Sequence, residues 1–171
     1  MFPVSRQLLA RSLGCAAAFA LLQQGWEAAR GGPLEHFVIH EATVRPAALL
    51  IDLMTPGLHV AAIGYTLHSP GGGINVLNGC EGTEVWLLLA AAFAVAPLRV
   101  RARVLGAVLA LPLVLLLNDL RLVGLFYALR FERDAYAALH GTVTPVLLVC
   151  AAAIYFHAWL AREHTLLARQ G

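Results

Sequence analysis

Lysine is missing from this chain: all 12 of its basic residues are arginine. Charge of either sign is scarce, at 13% of 171 residues, where a soluble domain carries about a quarter. With 60% hydrophobic residues and a mean hydropathy of +0.74, too little polar surface remains for a soluble fold. The net charge is only +2, which excludes the basic footprint of a nucleic-acid binder. The three cysteines, Cys15, Cys80 and Cys150, are an odd number, which excludes a complete disulfide framework. No His/Cys spacing matches a metal site. Internal repeats are absent, and low complexity goes no further than alanine and leucine richness. What remains is an all-α integral membrane bundle forming a single domain over 1–171.

The apolar runs predict about four transmembrane helices, at 7–24, 81–96, 104–125 and 140–160. The first follows Arg6 and Arg11 and approaches the length a bilayer requires. A cleaved signal peptide ending near Ala18-Phe19-Ala20 is the competing reading. An extracytoplasmic insert fills 26–79. Within it, Glu35 to about Met54 mixes apolar and charged residues without a membrane-length run, the pattern of an interfacial amphipathic helix. Thr55-Pro56-Gly57 ends that helix. Leu58–Leu67 and Gly73–Asn78, joined by His68-Ser69-Pro70-Gly71-Gly72, read as a β-hairpin.

Arginine placement sets the orientation. Cytoplasmic loops are enriched in arginine and lysine. Four spans put Arg6, Arg11, the Arg99/Arg101/Arg103 cluster, Arg162 and Arg169 on one side. The insert carries only Arg30 and Arg45 against Glu27, Glu35, Glu41 and Asp52. Both termini are therefore expected in the cytoplasm and the insert outside.

Three reactive residues then reach one depth. Cys80 stands between Gly79 and Gly82, where the polar insert turns into the second apolar run. Arg121 lies roughly 26 Å of helix beyond Val104, close to the far surface of a core about 30 Å thick. His140 opens the fourth helix at the same surface. A thiolate is a strong nucleophile and is favoured at a helix N-terminus. Flanking glycines let a substrate backbone approach. His140 suits general acid–base work, and Arg121 suits oxyanion stabilisation. Asn118 shares the face of Arg121, three residues earlier, and is placed to hold the guanidinium. Arginine inside an apolar segment is costly and marks function by default.

Other histidines and cysteines are weaker candidates. His36 and His40 share a helix face beside Glu35 and Glu41 but lack a third ligand. His59 and His68 lie on the same side as Cys80 and compete with His140 as its base. His157 and Cys150 fall too deep along the last helix to join the site, and Cys15 reads as packing. No cofactor and no metal are expected.

Asn78-Gly79-Cys80-Glu81-Gly82, Asn118-Asp119-Leu120-Arg121-Leu122 and His140, in that order, resemble the exosortase/archaeosortase family of membrane-embedded cysteine transpeptidases or proteases. The resemblance runs from about Gly73 to Ala158 and is nearest the short exosortase H type. It implies Cys80 as nucleophile, Arg121 and His140 as its partners, and exported proteins as substrates. Those substrates carry a C-terminal sorting signal: a short motif, an apolar helix and a basic cluster. For the H type the motif is of the Ile-Pro-Thr-Leu-x-x-Trp-Gly kind. The implied location is the bacterial inner membrane, with the site facing outward and lipid around the bundle. The alternative from another class is a non-catalytic assembly partner or an anion-binding transporter subunit that uses Arg121.

Overall fold

The computed structural model describes residues 6–77 and 79–168. Its main body is helical. Helix α1 (Arg6–Ala28) leads into α2 (Pro33–His36), a π-helical stretch (Phe37–Val44) and α3 (Arg45–Met54). A single 3-10 turn (Pro56–Leu58) precedes strands β1 (Ala61–Ile63), β2 (Thr66–Ser69) and β3 (Gly72–Asn75). Helices α4 (Thr83–Val95), α5 (Val100–Phe131) and α6 (Arg133–Ala138) follow. A π-helical turn (Leu139–Val143) then runs straight into α7 (Thr144–Ala168).

Two helical stretches, Val100–Phe131 and Arg133–Leu166, are long and apolar enough to cross a membrane. The expected four spans are thus supported for two. Helix α1 has the length, with 23 residues, but Arg6, Gln7, Arg11, Gln23 and Gln24 dilute its apolar run. Helix α4 is apolar, but its 13 residues extend only about 20 Å.

The insert folds differently from the expected hairpin. The sheet has three antiparallel strands in the order β1-β2-β3, because Gly64, at φ +55, turns the chain inside the Leu58–Leu67 run. The expected strand end at Asn78 lies outside the described residues. The expected helix is present, extended to Pro33 and wound as a π-helix through its middle. Its α3 portion buries Ala47, Ala48 and Ile51 while leaving Leu49, Leu53 and Met54 exposed.

Apolar side chains form two separate cores. One joins the insert to the last turns of α5 through Ile39, Ile51, Leu67, Ile74, Leu122 and Phe126. The other joins α4, α5 and α7 through Leu89, Phe93, Ala110, Val114 and Ala152. Phe93 is its centre, meeting Tyr155, Phe156 and Trp159 edge to face. Pro112 lies inside α5 without ending it. Between the two cores lies a layer of buried polar residues: Glu81, Thr83, Asn118 and Asp119. That layer holds the site.

Candidate active site

The loop 79–82 is built from backbone conformations that side chains resist. Gly79 and Gly82 both sit in the left-handed region, at φ +86 and +80. A Cβ at Gly82 would also stand 3.1 Å from the Cβ of Asn118. Two glycines therefore fold the chain sharply enough to present Cys80, half-buried, two residues ahead of the Gly82 N-cap of α4. The Cys80 amide donates to the carbonyl of Leu77 at 2.9 Å, closing the turn.

Asn118 links this loop to the arginine. Its side-chain amide donates to the Cys80 carbonyl at 3.0 Å, and its Oδ1 accepts from Arg121 Nη1 at 3.2 Å. Only one orientation of the carboxamide satisfies both partners. Arg121 Nε donates to Thr144 Oγ1 at 2.9 Å, and Thr144 in turn donates to the Leu139 carbonyl at 2.8 Å. Arg121 forms no ion pair among the described residues. Asp119, its near neighbour in sequence, does not neutralise it. The remaining terminal nitrogen, Nη2, has no hydrogen bond within the described chain.

His140 completes the cluster. Its Nε2 stands 3.5 Å from Cys80 Sγ, within hydrogen-bonding reach for sulfur. The ring stacks on Tyr136 with centroids 5.5 Å apart and planes at 19°. His140 does not open a helix, as the apolar run predicted. It sits in the π-helical turn of one helical column that starts at Arg133, since Arg133-Asp134-Ala135-Tyr136-Ala137-Ala138 is itself helical. Tyr136, His140 and Thr144 consequently lie on one face, each four residues from the next.

The structure brings together Cys80, Arg121, His140, Asn118, Gly79 and Gly82. Among the described residues, neither His59 nor His68 forms a hydrogen bond with Cys80. His59 caps the 3-10 turn at φ 47, and His68 lies on β2. The rings of His36 and His40 meet at a tilt, with centroids 5.0 Å apart, and no group of three metal-binding side chains occurs among the described residues. Sequence reasoning missed Tyr136 and Thr144, which a four-residue spacing on either side of His140 would have found. It also missed the burial of Glu81, which is fully enclosed. Its Oε1 accepts from Thr83 Oγ1 at 2.8 Å, while Oε2 is unpartnered.

The family model for transmembrane exosortases matches residues 31–157, well over half of the chain. The chain belongs to the transmembrane exosortases. All six clustered residues fall inside the matched region. No curated protein and no solved structure gives a significant match. Two membrane-length apolar helices agree with the membrane setting of this family. In this exosortase, the thiol and imidazole stand within hydrogen-bonding reach of each other, and Asn118 ties the guanidinium to the loop that carries the thiol.

Proposed function

We propose that this exosortase is a membrane-embedded cysteine peptidase or transpeptidase that cleaves the C-terminal sorting signal of exported proteins. The observation that carries this reading is the 3.5 Å approach of Cys80 Sγ to His140 Nε2, beside an Arg121 steered by Asn118. His140 Nε2 takes the proton from the Cys80 thiol, and the thiolate attacks the scissile carbonyl carbon. The carbonyl oxygen becomes an oxyanion and is met by Arg121 Nη2. As the tetrahedral species collapses, the C–N bond breaks, and the leaving amine takes the proton from His140. A thioester remains on Cys80. Water or an acceptor amine then attacks it, giving its proton to His140, and the Cys80 thiolate leaves and is reprotonated.

The signal's apolar helix has a natural berth. A groove of about 250 Å³ between α5 and α7 is lined by Leu117, Leu120, Leu147 and Ala151, with Arg121 and Thr144 at its head. A helix lying there would present its polar N-terminal flank to the guanidinium. In this reading the membrane is the bacterial inner membrane and the insert faces outward.

The test is a co-expressed reporter ending in an Ile-Pro-Thr-Leu-x-x-Trp-Gly motif, an apolar helix and an arginine cluster. Wild type should shorten it, and Cys80→Ala should leave it intact. Shortening by both would remove Cys80 from the role of nucleophile. An anion-binding subunit would tolerate Cys80→Ala without change in its own activity.

A further inference from the structure

Strand β3 is an edge strand. The Val76 amide donates to the Tyr65 carbonyl at 2.8 Å, one step beyond the Thr66–Asn75 pair. Antiparallel alternation then turns the backbone groups of Val76, Ile74 and Gly72 toward β2, and those of Gly73 and Asn75 away from it. The outward groups make no backbone hydrogen bond outside the sheet among the described residues. Such an edge is a template for another strand.

Beside it runs a groove of about 420 Å³, with Gly71 and Gly73 on one wall and Phe126, Leu129, Arg130 and Arg133 on the other. Arg130 Nη1 donates to the Pro70 carbonyl at 2.7 Å and fixes the rim. Arg133 has no hydrogen bond or ion pair among the described residues. The glycine wall is obligatory, since a Cβ at Gly73 would stand 2.2 Å from the Leu67 carbonyl oxygen. The strand therefore offers bare backbone to the groove.

One wall is close to the nucleophile in sequence and the other in space. Cys80 follows Asn75 by five residues. Along α5, Phe126 lies about 7.5 Å beyond Arg121, on the side of the insert. An extended peptide whose scissile carbonyl meets Arg121 covers that distance in about two to three residues.

We propose that this groove binds the segment of the substrate just N-terminal to the scissile bond, added to β3 as a fourth strand. A carbonyl or carboxylate oxygen of that segment faces Arg133. The inference rests on the peptidase reading, in which the exported part of the substrate lies outward and its apolar helix lies along α5 and α7. A lipid phosphate would sit at the arginines and could accept from the nearby glycine amides, but Asn75 is not among the residues lining the groove, and only a strand running on toward Cys80 would use its N–H.

Asn75→Pro separates the two. It deletes the outward N–H, and a proline is tolerated on an edge strand at such a position. Binding is measured on the full chain carrying Cys80→Ala, in detergent, with a fluorescent peptide comprising the Ile-Pro-Thr-Leu-x-x-Trp-Gly motif and an apolar helix. Asn75→Pro should weaken binding about 3- to 10-fold, Asn75→Ala should leave it unchanged, and Arg133→Ala should weaken it. Wild-type affinity in Asn75→Pro overturns the proposal, as does sensitivity to Arg133→Ala alone. If Asn75→Pro fails to fold, Asn75→Cys in the same background takes its place. It should form a disulfide with a cysteine in the peptide's motif and not with one in its apolar helix; the reverse overturns the proposal. Because binding does not need the thiol, proline-sensitive binding without any turnover of the reporter would refute the peptidase reading and keep the groove.

Discussion

Asn118 holds the carbonyl of Cys80 at 3.0 Å, although Cys80 stands in the loop ahead of α4 and Asn118 inside α5. The same carboxamide accepts from Arg121, so one buried side chain sets where the nucleophile loop stands relative to the cation. Replacing it with alanine strands a carbonyl and a guanidinium nitrogen. Asn118→Ala should cost about 1–3 kcal/mol of stability and lower the rate of reporter processing. Asn118→Asp keeps the acceptor for Arg121 and loses the donor to Cys80. Melting in detergent and a processing time course check both variants.

Cys80→Ser keeps the size and the hydrogen-bonding reach of the side chain but loses the thiolate. Processing should fall on the order of 10³-fold or more. His140→Ala should fall comparably, because the two act as a unit. A double variant no worse than either single one would show that coupling.

Arg121→Lys preserves a positive charge and removes the fork that serves Thr144 and Asn118 together. A lysine cannot hold both and still face an oxyanion. Processing should drop about 10²- to 10³-fold. Thr144→Val, which frees only Nε, should cost less. Comparing kcat with KM for the reporter separates a transition-state loss from a binding loss.

Gly82→Ala forces a side chain into the left-handed region, against Asn118. It should destabilise by about 1–3 kcal/mol and slow processing by displacing the residue that positions Arg121. Gly57→Ala, where an added Cβ meets nothing, is the control and should leave both unchanged.

Much of the site could be read from the sequence because its members are conspicuous there. Arg121 and Asn118 interrupt an apolar run, and Cys80 sits in a glycine-framed loop. What escaped depended on helix continuity. His140 was placed at a helix start because Arg133-Asp134 looked like a connection, and that removed the turn carrying Tyr136. The insert's third strand was hidden because a positive φ at Gly64 leaves no mark in an apolar stretch. Nothing local in the sequence marks Glu81 as buried, and only tertiary packing explains its burial beside Thr83 in the polar layer. Of the four expected spans, length and composition support two, because α4 is apolar enough but short, while α1 is long enough but diluted.

Helix α5 passes through both cores without a break. Arg103, bound to the carbonyls of Leu98 and Ala94, and Arg121 stand about 27 Å apart on that rod, close to the hydrocarbon thickness of roughly 30 Å. A rod cannot shorten when the bilayer thins; it leans. Leaning carries Arg121, and through Asn118 the Cys80 loop, to a new depth relative to the lipid. With the site at the outer face, as proposed above, acyl-chain length thereby becomes a setting of the instrument, since it fixes how far from the membrane plane the thiol waits.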